Sequence, residues 1–294
     1  MKIKFILLVP ALLIFLGACS NDEASIEEEV DMSTIRPPLS EFSEAEQEKI
    51  KYGEKLNTDT HLLLPENVGN NLSCVSCHAG AGRTKDLTFV GVTEKYPKYM
   101  ARAGKEVSLE ERINGCFSRS MNGKPIDPES EEMEAFISYY EYLSKDIDSP
   151  DQYEFMTVQH TAESVPAPNV EQGAQDLARY NCLSCHGQSG PEAANTGPAL
   201  WGPDSFNDGA GLSRISKLQY YIKNYMPKGE GGTLSEQEAS NIAAYILMQD
   251  RPEFEGERGF PNGDGPGDYI TKEKREALKE NLMDWTDFKQ VEAE

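Results

Sequence analysis

Two copies of the pentapeptide Cys-x-x-Cys-His constrain this chain more than any other feature. In this pattern the two cysteines form thioether bonds to a porphyrin and the following histidine binds its iron, so it is the attachment signature of c-type haem. Zinc or a thioredoxin-like dithiol is the alternative, but a structural zinc needs four ligands, and no further Cys-x-x-Cys or histidine pair lies nearby. We therefore predict two covalently bound haem c groups. The attachment cysteines and histidine ligands are Cys74, Cys77 and His78 in the first copy, and Cys182, Cys185 and His186 in the second.

The N-terminus has the features of a secretory signal. Two lysines precede an apolar run from Phe5 to Leu16, which is too short to span a membrane, and Gly17 and Ala18 then lead to Cys19. This arrangement resembles a bacterial lipobox, so residues 1–18 are expected to be a lipoprotein signal peptide and Cys19 the lipidated N-terminus. The protein would be exported and lipid-anchored to a bacterial membrane, facing the periplasm or the cell exterior. The alternative is an ordinary signal peptide in which the cysteine stands at this position by chance.

The charge of the chain limits its partners. The formal net charge is −22, and it becomes −24 when Lys2 and Lys4 leave with the signal peptide. Such a chain repels nucleic acid, which we exclude as a partner. An anionic substrate would have to be attracted by a local basic pocket, because the overall field opposes it.

Helical periodicity predicts two domains of the same plan. In each, a helix precedes the haem motif and an apolar helix closes the domain: Ser43 to Leu56 with Glu131 to Leu143, then Val170 to Tyr180 with Ser235 to Gln249. A Ser-x-x-Glu capping box, Ser43 to Glu46, starts the first helix. The predicted fold class is all-α, with two tandem class I cytochrome c domains and a C-terminal tail helix.

The predicted boundaries follow changes in composition. An acidic tether covers residues 19–40, the first cytochrome c domain 41–145 and a proline-containing linker 146–168. The second cytochrome c domain covers 169–252, and a C-terminal extension covers 253–294. That extension contains a polar helix, predicted from Thr271 to Lys289, on the surface of a domain.

The second domain contains a candidate for the other axial iron ligand. Met226 is followed by Pro227 and lies 40 residues after His186. Methionine in this position stabilises ferrous iron and raises the reduction potential. The alternatives are a core methionine, or competition from the amines of Lys223 and Lys228.

The first domain has a cysteine at the corresponding distance. Cys116 lies 38 residues after His78, and it is the one cysteine left when lipid and haem have taken the other five. A thiolate ligand favours ferric iron. Met121 is a competing ligand, and a buried, inert thiol is the other interpretation of Cys116. Ligation by His61 or His160 is possible in principle, but one precedes the haem motif and the other lies in the linker.

Basic residues surround Cys116, against the trend of the chain. If residues 109–121 are helical, Arg112, Arg119 and Ser120 share the face of Cys116, and Arg102 and Lys124 flank the segment. Arginine binds oxyanions with two parallel hydrogen bonds and lowers the pKa of a nearby thiol. The alternative is that these arginines pair with haem propionates or surface carboxylates.

Longer motifs give the chain a family resemblance. These are Val-Gly-Asn-Asn-Leu-Ser-Cys at 68–74, Leu-Glu-Glu-Arg-Ile-Asn-Gly-Cys-Phe at 109–117, Arg-Ser-Met-Asn-Gly-Lys-Pro at 119–125 and Gly-Pro-Ala-Leu-Trp-Gly-Pro at 197–203. With these motifs the chain resembles the dihaem thiosulfate dehydrogenases, which are related to the SoxA cytochromes. Some members carry a lysine before the distal methionine, where this chain has Tyr225, so a ligand switch of that kind is not expected.

The resemblance implies an enzyme that joins two thiosulfates into tetrathionate, or runs the reverse, with electrons passing to an external acceptor, another cytochrome. It also implies His78/Cys116 and His186/Met226 ligation, with Arg102 and Arg112 holding the substrate. Cys116, Arg102, Arg112 and Ser120 are thus the candidate catalytic residues. Two other functions stay open: a non-catalytic dihaem electron carrier, and a SoxA-like sulfur-transfer subunit that needs a second protein.

Overall fold

The computed structural model describes residues 30–187, 197–257, 259–289 and 291–292. The chain separates into two units, Met1–Asp31 and Met32–Glu294, and all that follows concerns the second. Cys19 and the predicted signal peptide lie outside the described residues. In the described part of the chain, no helix is both long enough and apolar enough to cross a membrane.

The described residues are mainly helical. The α-helices are α1 Glu44–Thr58, α2 Thr60–Leu63, α3 Leu109–Ser118, α4 Glu131–Ser144, α5 Val170–Arg179, α6 Leu183–His186, α7 Ile215–Tyr225, α8 Glu236–Leu247 and α9 Lys272–Lys279. Short 3-10 helices cover Leu39–Glu41, Cys74–Ser76, Ala79–Gly82, Thr93–Lys95, Glu154–Met156, Gly211–Ser213 and Trp285–Asp287. The strands are β1 Lys98–Met100, antiparallel to β2 Lys105–Val107, and β3 Val165–Pro166, parallel to β4 Val291–Glu292.

Local sequence signals determine where the main helices begin. In α1 the Ser43 side chain accepts from the Glu46 backbone amide while the Glu46 carboxylate accepts from the Ser43 amide, so the predicted capping box is confirmed. Capping boxes of the same kind start α3 and α8. These reciprocal bonds satisfy backbone donors that a helix leaves free at its N-terminus.

Each domain is organised by one pair of crossing helices, α1 with α4 and α5 with α8. A glycine makes each crossing close. A Cβ atom added to Gly53 in α1 would lie 2.1 Å from the Ala135 carbonyl oxygen, and one on Gly173 in α5 would lie 2.0 Å from that of Asn241. Both contacts are far inside van der Waals range, so a larger residue would force the pair apart. The two-domain, all-α fold is confirmed, and the strands are short additions to it.

Two segments differ from the predictions. The polar helix predicted from Thr271 to Lys289 ends at Lys279, so its predicted length is wrong. The reason is local: Asn281 takes a φ of 55°, and the Leu282 amide bonds to the Ala277 carbonyl, which closes the helix in a Schellman motif. At the other end of the unit, Ile35 is 4% exposed, so packed structure begins inside the stretch assigned to the tether.

Candidate active site beside the first haem motif

The first motif presents its histidine in a form that can bind iron. His78 Nδ1 lies 2.6 Å from the Leu87 carbonyl oxygen, which can only accept, so Nδ1 carries the hydrogen and Nε2 keeps its lone pair. The Phe89 ring stacks on the imidazole at 4.1 Å. Burial lowers the pKa of His78 to about 4, which keeps the ring neutral. The ring is thus fixed in orientation, tautomer and charge before any ligand arrives.

The second motif repeats this arrangement beside a large cavity. His186 Nδ1 lies 2.7 Å from the Pro198 carbonyl oxygen, so Nδ1 carries the hydrogen in this motif too. A cavity of about 1020 Å³ is lined by Cys182, Cys185, His186 and Met226 together. Two attachment cysteines, an oriented imidazole and a thioether around one such space are the donor set of a c-type haem, which these residues fit. Among the described residues, no group of three or more His, Cys, Asp or Glu side chains is arranged to hold a metal ion.

Cys116 lies on α3 and is bound by an arginine of its own helix. Arg112, one turn earlier, donates from Nη1 to the Cys116 sulfur at 2.8 Å. The Cys116 charge raises the pKa of the Arg112 guanidinium, and the Tyr96 hydroxyl also interacts with that group. The sulfur lies within electrostatic range of Cys74 and Cys77, the attachment cysteines of the first motif. The structure therefore brings the predicted thiol and one predicted arginine together at the first haem motif.

A second arginine reaches Cys116 because the preceding residue has no side chain. The Arg119 guanidinium lies over Gly115, where an added Cβ atom would come within 2.4 Å of Nη2. Burial and the neighbouring Arg102 lower the pKa of Arg119 to about 10. Gly115 thus leaves room for a second cation beside the sulfur.

Arg102 is held by residues of the C-terminal extension. Its Nη1 donates to the Tyr269 hydroxyl at 2.6 Å, and its guanidinium lies over the rings of Phe260 and Tyr269 at 5.8 and 5.2 Å. Its backbone carbonyl accepts from the Phe260 amide at 2.8 Å. These contacts join residues more than 150 positions apart, and nothing in the sequence pattern indicated them.

The second domain adds a cation that sequence reasoning missed. Lys217 lies on the first turn of α7 and interacts electrostatically with Arg214, Arg112 and Arg102. Burial, together with these like charges, lowers the pKa of Lys217 to about 8. The basic pocket, defined by Arg102, Arg112, Arg119 and Lys217, is therefore built by both domains. Within the sequence Lys217 looks like an ordinary surface lysine, because the contacts that distinguish it come from the other domain.

Other predicted residues are placed differently. Helix α3 ends at Ser118, the Met121 amide bonds back to the Cys116 carbonyl, and Asn122 takes a φ of 48° in the turn beyond. The helical argument that put Ser120 on the face of Cys116 is therefore wrong. Met121 is 3% exposed and packs in the hydrophobic core.

The two remaining histidines have polar partners. His61 Nδ1 lies 2.9 Å from the Ser73 hydroxyl, next to the first haem motif. His160 Nδ1 lies 2.6 Å from the Tyr225 hydroxyl, so this linker residue contacts the neighbour of Met226. Both are more enclosed than their places in the sequence indicated.

The two haem motifs are close to each other. The Tyr221 hydroxyl of α7 donates to the Ser76 carbonyl, inside the first motif, at 3.2 Å. A cavity of about 520 Å³ is bordered by Cys77 of the first motif and by Met226 of the second domain. Residues assigned to different haems thus line one space, which suits electron transfer between them.

Comparison with known families agrees with this architecture. Residues 65–148 match the family described as SoxA/TsdA, cytochrome c domain, and residues 168–246 match the one described as cytochrome c oxidase, cbb3-type, subunit III. The two matches contain the first and second haem motifs respectively.

Curated relatives cover most of the chain. A thiosulfate dehydrogenase of Psychrobacter arcticus is 40% identical over 81% of this chain and 72% of its own length. One from Allochromatium vinosum is 33% identical over 72% of this chain and 82% of its own. Among solved structures, thiosulfate dehydrogenase (TsdBA) from Marichromatium purpuratum in its as-isolated form is 28% identical with a TM-score of 0.63. The match covers 76% of this chain and 51% of that longer one, so this chain spans about half of its length.

Proposed function

The chain belongs to the thiosulfate dehydrogenase family, and we propose that it joins two thiosulfate ions into one tetrathionate, or runs the reverse, and exchanges the electrons with another cytochrome. The observation that carries the proposal is the Cys116 sulfur, held at 2.8 Å by Arg112 beside the first haem motif. An electron carrier needs neither a reactive thiol nor a cluster of cations around it. The chain is strongly negative, so its overall field repels anions. A cluster of cations at this one place therefore supports a local binding site for an anion.

The proposed chemistry begins at Cys116. The Cys116 thiolate bonds to the outer sulfur of one thiosulfate, and this step releases two electrons and leaves a sulfonate-terminated persulfide on the cysteine. The outer sulfur of a second thiosulfate then attacks that persulfide, which forms tetrathionate and returns the thiolate. Charge and atoms balance: two thiosulfates give one tetrathionate and two electrons. The reverse direction uses the same steps backwards.

The residues of the basic pocket have separate tasks in this scheme. Arg112 stabilises the Cys116 thiolate, both as attacking group and as leaving group. Arg102, oriented by Tyr269, supplies a fork of donors to a sulfonate group. Together these cations offset the repulsion between two dianions, which is the main electrostatic barrier to the reaction.

We propose that His78 and Cys116 would hold the iron of the first haem, and His186 and Met226 that of the second. When bound, each haem would take one of the two electrons and pass it towards the external acceptor. The chain orients both imidazoles through carbonyl oxygens, and the Tyr221–Ser76 bond holds the two motifs together across the domain boundary.

The activity assay uses purified holoprotein with thiosulfate and ferricyanide. We expect one tetrathionate and two reduced ferricyanides for every two thiosulfates consumed, and the reverse reaction with tetrathionate and a low-potential viologen dye. A pyridine haemochrome assay should give two haems c per chain. Reduced haems without any tetrathionate would leave an electron carrier, and thiosulfate transfer to an added protein thiol would favour the sulfur-transfer subunit.

We also propose that the mature protein is exported and held on a bacterial membrane by a lipid on Cys19. The support is the lipobox-like sequence before Cys19, together with c-type haem motifs, since that attachment takes place outside the cytoplasm. Cys19→Ala should release the protein from the membrane fraction or block its processing. Unchanged fractionation and processing of that variant would contradict the anchor.

A further inference from the structure

We infer that Lys217 binds the second of the two thiosulfate ions, so that the second domain completes the substrate pocket of the first. The inference rests on the proposed function, because joining two anions requires a second binding position. It assigns a substrate contact to a residue outside the domain that carries Cys116.

The position of Lys217 follows from its helix and from Tyr269. Lys217 comes three residues after Arg214, the N-cap of α7, so the two share one side of the first turn. The guanidinium groups of Arg214 and Arg102 both lie against the Tyr269 ring, at 5.9 and 5.2 Å. The first turn of α7 is therefore next to the arginine that we assign to substrate binding.

The Lys217 amine is half-buried and makes no hydrogen bond or ion pair with the residues that the structure describes. The nearby acid is Asp268, which is fully buried and already engaged. Its oxygens accept from Arg214 Nε at 2.8 Å, from the Ser216 amide at 3.1 Å and from the Ser216 hydroxyl. Asp268 thus organises the start of α7 and leaves Lys217 without a close anionic partner.

The surroundings of Lys217 are otherwise cationic. Arg214, Arg112 and Arg102 disfavour its charge, the single acid Asp268 favours it, and His160 lies within electrostatic range. An enclosed ammonium among like charges is unfavourable unless an anion joins it. A bound dianion would satisfy the lysine and reduce the repulsion between the arginines at the same time.

The reaction indicates which anion Lys217 binds. Arg112 donates to the Cys116 sulfur and Arg119 lies over the adjacent Gly115, so they serve the thiosulfate whose outer sulfur bonds to that cysteine. The attacking thiosulfate must approach that sulfur from another side. A cation supplied by the second domain is available for this position, and the other three members of the basic pocket come from the first domain.

The test compares Lys217→Gln, which removes the charge, with Lys217→Arg, which keeps it. Lys272→Gln is the matched control, because it removes one positive charge from an exposed site on α9 that pairs with Glu253. In Lys217→Gln we expect the KM for thiosulfate to rise about tenfold or more, and Lys217→Arg should recover most of that loss. Rapid reduction of the oxidised protein by one equivalent of thiosulfate should stay unchanged, because it needs only the first anion.

A binding measurement separates this inference from the proposed function. Calorimetric titration of photoreduced protein with thiosulfate, under conditions without turnover, should give two binding events per chain in the wild type and one in Lys217→Gln. This result decides the role of Lys217 even if wild-type protein makes no tetrathionate, an outcome that would overturn the proposed function alone. Two unchanged binding events in Lys217→Gln would overturn the inference. So would a shift confined to the reduction potential of the first haem, which would assign Lys217 to a haem carboxylate.

Discussion

The two cytochrome c domains orient their motif histidines in the same way, but they differ in the sulfur-containing residue near each haem motif. In both, the motif histidine is oriented by a carbonyl oxygen, Leu87 in the first and Pro198 in the second. Near these motifs the first domain has Cys116 and the second has Met226. The shared histidine arrangement is what the fold needs in order to hold a haem, so a difference in activity is sought in the residues that differ.

The charge around the two sites differs in the same way. Cys116 has Arg112 as a hydrogen-bond partner and interacts electrostatically with Arg119, and Arg102 and Lys217 lie within electrostatic range of these arginines. Met226 follows Tyr225, the last residue of α7, and the Tyr225 hydroxyl is hydrogen-bonded to His160 Nδ1. A cluster of cations attracts dianions, whereas a thioether carries no charge and favours reduced iron. The comparison therefore supports our proposal that the sulfur chemistry takes place in the first domain and that the second delivers electrons.

Removing the sulfur-containing side chains of Cys116 and Met226, one at a time, should have the largest effects. Cys116→Ala is expected to lower kcat for thiosulfate oxidation by more than about a thousandfold, because the nucleophile is gone. Ferric EPR should lose thiolate features from one haem only. Met226→Ala should instead lower the potential of the second haem and slow reduction of the acceptor, while thiosulfate still reduces the first. A Cys116→Ala protein with wild-type turnover would break the comparison.

The arginines should give the next largest effect. Arg102→Gln or Arg112→Gln is expected to reduce kcat/KM for thiosulfate about ten- to a hundredfold, the value of one charge-assisted hydrogen bond. Both haem absorption spectra should stay nearly unchanged, which separates substrate binding from haem loss. Arg179→Gln is a suitable control, since Arg179 pairs with Asp176 and Glu238 away from the pocket. Full activity in a double Arg102/Arg112 variant would remove the pocket from this position.

The pH profile should show a smaller effect. Lys217 has a pKa of about 8 in the free protein, below its ordinary value, so it is charged at lower pH and loses its charge as pH rises through that value. We expect kcat/KM for thiosulfate to fall several-fold above pH 8, since this parameter follows the free enzyme. In Lys217→Arg the decline should disappear. A profile that is flat in wild-type protein from pH 7 to 9.5 would contradict a role for this amine.

Two substitutions that preserve the fold should have the smallest effects. Tyr269→Phe keeps the ring against Arg102 and removes the hydroxyl that accepts from it at 2.6 Å, so KM should rise a few-fold with kcat nearly unchanged. Tyr99→Phe is the matched control, because that hydroxyl accepts only at the exposed surface, from Asn262. Gly115→Ala should displace the Arg119 guanidinium and raise KM to a similar extent. An unchanged KM in both would show that these neighbours do not position the cations.

Much of the fold could be predicted because its signals are local. The capping box at Ser43 and the apolar spacing of α4 and α8 lie within a few turns of chain, where periodicity and hydrogen-bond chemistry decide the structure. Helix ends were less predictable. Asn281 closes the C-terminal helix by taking a positive φ, as Asn122 and Asn181 do in other turns, and the sequence pattern does not mark which asparagines adopt this conformation.

The candidate site was predictable where it follows from spacing on one helix, as with Arg112 and Cys116 one turn apart. Tyr269 and Lys217 could not be found in this way. Tyr269 reaches Arg102 from the C-terminal extension, and Lys217 reaches the pocket from α7. Their contacts arise from packing between segments that are far apart in the chain. Such packing leaves no periodic pattern in a single sequence.

The path of the C-terminal extension has a consequence for how such proteins can be divided or recombined. Phe260 and Tyr269 hold Arg102 of the first domain, while Asp268 between them anchors α7 of the second. The basic pocket that we propose for substrate therefore does not belong to either haem module alone. A chimaera that exchanged one module at the linker could still bind two haems and fold, and it would lose its sulfur chemistry. The smallest transferable unit of this activity is the pair of modules with the tail that joins them.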